Sequence, residues 1–242
     1  MDHFATTQAG LIARARSGAP EALADLCRAY WRPLYVYFRA RGWRSEDAEE
    51  LTQQLCASLV VSGALATYDP EQGRFRRWLR GAARHLMLND LKRARALKHG
   101  GGWTRIDIDV GPAEQSFQME LQSGLGADEM FDRCWAETVA ARVLARVRAD
   151  CEQDGKGAAY ERFAAFVLGD EAEQETAGDR TASRKSPGAL RVERHRLTKR
   201  MEPRCLRYLR EEIATTVAST DAIDDEIRVL FEALEVLFDA PR

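Results

Sequence analysis

Neither sign of charge dominates this chain. Its 36 Lys and Arg stand against 38 Asp and Glu, a formal net charge of −2, whereas chains that bind nucleic acid are usually basic. Taken as a sum, that figure argues against a nucleic-acid partner. Paired cysteines are missing as well. Cys27, Cys56, Cys134, Cys151 and Cys205 are scattered and never form a CxxC pair, which reads as idle thiols in a reducing compartment. His3, His85, His99 and His195 pair with no cysteine or carboxylate at metal-ligand spacing, so neither a zinc site nor another cofactor is expected. There is no Gly-rich phosphate loop, nucleophile elbow or catalytic dyad, and an enzyme is not expected. Residues 1–10 lack a basic segment leading into an apolar core, so no secretory signal is expected. The most apolar stretch, 55–66, is too short and too broken by Ser and Gly to span a bilayer. These absences predict a soluble cytoplasmic protein with no membrane partner.

Strand patterns are almost absent too. Only residues 104–110 (TRIDIDV) alternate apolar and polar residues, and one short run cannot make a sheet. What is present is helical periodicity, in a chain of 242 residues that is 45% hydrophobic and can bury real cores. Leu23, Leu26, Tyr30, Leu34 and Phe38 recur at steps of three and four, with Pro33 predicting a kink or break and Gly42 a stop. Ser45 can cap the next helix, with Glu46 and Asp47 in its positively polarised first turn. Its buried face reads Ala48, Leu51, Leu55, Leu59, and its other face Asp47, Glu50, Gln53, Gln54. After a turn-rich loop at 68–73, a long helix is expected from about Arg74 to Lys98. Its stripe is Phe75, Leu79, Ala82 and Leu86, extended by Trp78, and the glycines 100–102 end it.

The expected fold is all-α, two small helical domains joined by a flexible linker. The first domain spans 10–102 and the linker 103–127, where Gly111-Pro112, Ser123-Gly124 and Gly126 interrupt any period. The second spans 128–238 and contains a helix-turn-helix-like unit. In it, Ser186-Pro187 opens a helix carrying Leu190, Leu197 and Met201, interrupted at Pro203. A further helix runs from Cys205 to Val217, and a last one from Asp221 to Phe238 reads as a cap with Ile223, Ile227, Leu230, Leu234 and Leu237 inward, the alternative being that the acidic tail 221–239 is an intramolecular brake on a basic helix.

Charge is segregated along the chain. Residues 74–99 hold nine Lys and Arg and one acid, and residues 180–210 hold eleven and two. The balancing acids lie in 107–137, eight against one Arg, and in 211–242, nine against two. Two separate basic helices are the footprint of a chain that neutralises phosphates at two places. On the first, Arg84, His85, Asn89 and Lys92 offer base-edge hydrogen bonds at helical spacing, with Trp78 able to stack on bases. On the second, Arg191, His195 and Arg196 lie where a recognition helix contacts bases.

At these residues the chain resembles bacterial RNA polymerase sigma factors of the small, two-domain extracytoplasmic-function type. Residues 47–55 (DAEELTQQL) resemble the segment that docks on the polymerase clamp. Residues 69–79 (DPEQGRFRRWL), running on to His85, Asn89 and Arg93, resemble the region that melts the promoter and reads its −10 element. Residues 188–192 with His195-Arg196-Leu197 are similar to the −35 recognition helix. The resemblance implies polymerase binding by Asp47, Glu50, Leu51, Gln53 and Gln54. It implies DNA binding by Arg74, Arg77, Trp78, Arg84, His85, Asn89, Lys92 and Arg93, and in the second domain by Arg191, His195, Arg196 and Lys199. The implied function is promoter recognition and transcription initiation, without covalent chemistry. Core RNA polymerase and promoter DNA are the implied partners, and an anti-sigma factor is an open third. The alternative is a sigma-like regulator or decoy that binds polymerase or DNA without initiating.

The second domain departs from the pattern. Asp179, Ser183, Arg184 and Lys185 stand where relatives carry core and turn residues, and Glu193 and Arg194 replace small or apolar residues on the packed side of the recognition helix. Each lost Leu-size contact costs about 2–5 kcal/mol in a packed core. A mobile loop at 170–186 and a weak, altered or absent −35 readout are therefore expected.

Overall fold

The computed structural model describes residues 11–61, 63–96, 111–121, 124–168, 187–214, 217 and 220–235. All their regular structure is helical, and no strand occurs among them. The helices are α1 (Leu11–Arg16), α2 (Pro20–Ala40), α3 (Ser45–Val61), α4 (Phe75–Ala96), α5 (Gly111–Leu121), α6 (Ala127–Gln153), α7 (Gly157–Leu168), α8 (Pro187–Ala214) and α9 (Thr220–Glu235). The chain divides into two compact units, one from residues 1–138 with 213–242 and one from 139–212. The alternating run 104–110 and the segment 170–186 lie outside the described residues.

The first unit is built on α2. Pro20 opens this helix, and Leu23, Leu26, Tyr30, Leu34 and Phe38 are all buried, as their spacing predicts. Of the kink or break expected at Pro33, the break does not occur, and the helix runs through it to Ala40. A proline inside a helix costs about 3 kcal/mol, and the burial of thirteen α2 side chains, Pro33 among them, offsets that cost. At the end, Gly42 takes φ 91° and donates to the Arg39 carbonyl, so the chain turns away.

The inward face of α3 is the one read from sequence: Ala48, Leu51, Leu55 and Leu59 are buried. Ser45 does not act as the cap. It is the first helical residue, and its Oγ lies 2.7 Å from the Tyr35 hydroxyl. In α4 the buried stripe is Phe75, Leu79, Ala83 and Met87, so the expected Ala82 and Leu86 are only half-buried. Steps of four after Leu79 keep the stripe on one side of α4, which packs on α3.

Within the stretch expected as a linker, residues 111–121 form α5, which packs on α2. Phe117 joins Val36, Met130 and Cys134 in a small core cluster. Arg32 donates to Ser116, and Arg39 and Tyr35 both donate to Glu114.

In the second unit, Val143, Val147, Cys151, Tyr160, Phe163, Leu197, Met201 and Leu209 supply the core. The interruption expected at Pro203 is absent, because α8 is one helix of 28 residues with Pro203 inside it. Pro203 is exposed, so solvent can serve the carbonyl left without an N–H partner. Arg204 and Arg207 both reach Asp150 of α6 and fasten the half of α8 beyond the proline. Glu193 is half-buried and pairs with Arg162 of α7 at 3.2 Å. Arg194 is exposed rather than packed, as is Val192.

Candidate nucleic-acid interface

The loop between α3 and α4 is shaped by its own side chains. Asp69 accepts from the Glu71 N–H at 3.0 Å and the Gln72 side-chain amide at 2.9 Å, which folds Pro70–Gln72 into a short 3-10 turn. Gly73 follows at φ 140°, a conformation that favours glycine. The Tyr68 hydroxyl donates to the Gly73 carbonyl at 3.1 Å and closes the loop onto the start of α4.

The closure creates a cleft of about 310 Å³ walled by Thr67, Tyr68, Asp69, Gln72, Gly73, Arg74, Arg77 and Trp78. Tyr68 and Trp78 are its aromatic lining; Trp78 stacks on the buried Phe75 at 5.4 Å, and Tyr68 meets both rings at 5.2 and 5.6 Å. Burial, with the charge of Glu226, pushes the Tyr68 phenol above its ordinary pKa, so it stays a neutral donor. Two aromatic rings and two guanidinium groups in one lining suit an unpaired base and its phosphates.

Along α4, the groups expected to bind DNA fall into two sets. Arg77 and His85 are exposed, and Trp78 and Asn89 are half-buried; Asn89 Nδ2 lies 3.2 Å from His85 Nδ1. Arg74 and Arg84 already have partners. Arg74 lies 3.3 Å from Glu226 of α9, and Arg84 donates to Asp128 at 2.6 Å and to the Tyr37 hydroxyl at 3.0 Å. The side chains of Lys92 and Arg93 lie outside the described residues, although both positions are helical.

Sequence reasoning missed the row beside these groups. Arg76, Arg80 and Arg84 recur every four residues on one side of α4 and meet acids of α6 and α9. Arg76 is buried, bonded to Asp132 and to both oxygens of Glu226, with its guanidinium 3.8 Å from the Trp135 ring centroid. Burial alone would make Arg76 easier to deprotonate, but Glu226 and Asp132 outweigh it and raise its pKa. Arg80 donates to Asp132 at 2.7 Å and to the Asp128 carbonyl at 3.1 Å. The signal for Glu226 was present in the sequence: it falls inside the apolar stripe of α9 with Ile223, Ile227 and Leu230, and a buried acid needs a cation.

On α3, Asp47 and Glu50 are exposed and Gln53 and Gln54 half-buried. Gln53 and Gln54 donate to Glu49 and Glu50, one turn back, at 3.0 and 3.1 Å, which holds the amide-acid face in place. Leu51, grouped with them by the resemblance, is 2% exposed; the step of three from Ala48 turns it into the core, so it supports that face from beneath. In the second unit, Arg191, His195, Arg196 and Lys199 are all exposed on α8, with Lys199 3.0 Å from Glu202.

Among the described residues, no cluster of His, Cys, Asp and Glu suits a metal ion, and no helix is long and apolar enough to cross a membrane. No curated protein and no solved structure matches the chain. Residues 26–97, from within α2 through α3 and the cleft-forming loop to just past α4, match the family model of Sigma-70 region 2.

Proposed function

We propose that the chain is an RNA polymerase sigma factor of the extracytoplasmic-function type, acting in the cytoplasm. Residues 10–102 would hold core polymerase and open the −10 element. Residues 128–238 would serve as a divergent counterpart of the domain that reads the −35 element, reached through 103–127. In this reading Asp47, Glu50, Gln53 and Gln54 dock on a basic surface of the polymerase. Arg74, Arg77 and Trp78 hold an unpaired base and its phosphates in the cleft. Arg84, His85, Asn89, Lys92 and Arg93 follow the strand along α4, while Arg191, His195, Arg196 and Lys199 face the upstream element. The chain binds and orders nucleic acid and makes no covalent bond. The observation that carries the reading is the cleft lined by Tyr68, Trp78, Arg74 and Arg77 inside residues 26–97.

The test is reconstituted transcription. Core polymerase with this chain, on promoters from its own genome, should give specific run-off products. Gln53→Ala with Gln54→Ala should reduce polymerase capture several-fold while helicity by circular dichroism is unchanged. Failure to bind core polymerase would end the reading. A second reading, a regulator that binds polymerase without initiating, draws on the carboxylates that already occupy Arg74 and Arg84. Core binding without transcripts would favour it.

A further inference from the structure

The arginines of α4 that face α6 and α9 are bound in a graded way. Arg76 is 5% exposed and its Glu226 partner 1%, so this pair is a fixed part of the core. Arg80 and Asp132 are intermediate, at 20% and 25%. At the rim, Arg84 and Asp128 are 51% and 43% exposed and in contact with solvent. Asp128 also meets Arg41 at 3.3 Å. Arg74, at 38%, lines the cleft while it pairs with Glu226.

A carboxylate and a phosphate offer a guanidinium the same kind of charged acceptor oxygens. We infer that Asp128 and Glu226 occupy the phosphate-binding arginines of α4 from within the chain, so that nucleic acid must displace the rim contact Arg84–Asp128 before it can lie along the helix. The inference rests on the reading of α4 as the nucleic-acid helix. The innermost pair keeps α9 in place while the rim pair opens, and Asp128 is the group that gives way. Asp128 is half-exposed, so its replacement leaves the core intact. Partial burial works against its ionisation, but Arg84, Arg80 and Arg41 together hold its carboxyl below the usual range. The contact is therefore fully charged at neutral pH.

The experiment uses the full chain and a fluorescein-labelled single-stranded oligonucleotide, read by anisotropy over a salt series. Asp128→Asn removes the carboxylate charge that holds Arg84, leaving its hydrogen bond to the Tyr37 hydroxyl in place, and should tighten binding about three- to tenfold. The salt dependence should steepen by about 0.7 in log–log slope, the increment for one added phosphate contact on a single strand. Asp25→Asn is the control. It removes the same charge from a solvent-exposed pair with Arg28 and should leave affinity within a factor of about two. Arg84→Ala placed in the Asp128→Asn background should abolish the gain. The inference is overturned if Asp128→Asn binds no tighter than Asp25→Asn, or if its gain survives Arg84→Ala. Run-off transcription separates this from the proposed function. A chain that initiates without an Asp128→Asn gain loses the internal contact only. A chain that neither captures polymerase nor initiates loses the sigma reading, and the inference that rests on it.

Discussion

Glu114 shows how much one side chain holds in the first unit. Its carboxylate accepts from Arg39 Nε and Nη2, both at 2.9 Å, from the Tyr35 hydroxyl, and from Gln118 at 2.8 Å. Led by the Arg39 hydrogen bond and against some desolvation, these donors pull its pKa from 4.5 down to about 2. Burial, with the hydrogen bond to Glu114, pushes Tyr35 up to about 12. Since the folded carboxyl is the stronger acid, its contribution is complete above about 4.5 and is lost as pH falls toward 2. The side chain is 29% exposed, so solvent screening reduces the contribution to about 1–2 kcal/mol. Glu114→Gln should therefore lower stability by about that amount at pH 7 and flatten the acid limb. Urea midpoints for variant and wild type should converge between pH 4 and pH 2; midpoints that stay equally separated across that range would show that the carboxylate charge is not the cause.

Elements differ in how openly the sequence announces them, and α8 is the clearest case of a misleading signal. Pro203 read as an interruption, yet the helix passes through it, fastened on the far side by Arg204 and Arg207 to Asp150. The proline nonetheless removes a backbone hydrogen bond at an exposed position. Pro203→Ala should raise the stability of the second unit by about 1–3 kcal/mol, seen as a higher thermal midpoint with no loss of helical signal. A lower midpoint would mean that Pro203 makes contacts alanine cannot replace. By contrast, α3 was legible because Ala48, Leu51, Leu55 and Leu59 obey one period and nothing competes with it. In α4 apolar residues occupy adjacent positions, 82–83 and 86–87, so periodicity alone could not choose between Ala82 with Leu86 and Ala83 with Met87. The helix α5 escaped notice because its buried stripe is short, Ala113 and Phe117, and its opening Gly111-Pro112 has the composition of a linker. A proline near a helix start is also what an N-terminus carries. The cleft was half legible: Trp78 and the arginines stood out, while Tyr68 and the closing bond to Gly73 depend on a loop conformation that periodicity does not encode.

For the whole molecule, the net charge of −2 conceals blocks that are segregated along the chain but in part paired within each unit. In the first unit the basic helix α4 is met by Asp128, Asp132 and Glu226; in the second, Arg204 and Arg207 of α8 are met by Asp150. Residues 74–99 hold nine Lys and Arg. If all nine released counterions on duplex DNA, affinity would fall with salt at a log–log slope of about −8. Arg74, Arg76, Arg80 and Arg84 are already bound to carboxylates, and a cation that exchanges a carboxylate for a phosphate contributes little net release. At most five remain, for a slope of about −4.5 from this segment. The free chain should thus bind duplex DNA only in the non-specific range, with Kd of about 10⁻⁴ to 10⁻⁶ M at physiological salt, and a complex with core polymerase should bind promoter DNA far more tightly. Anisotropy titrations of the free chain from 50 to 200 mM salt, repeated with core polymerase, measure both quantities. A free chain with nanomolar affinity and the steep slope of nine open cations would mean that the acids of α6 and α9 do not hold α4 in solution.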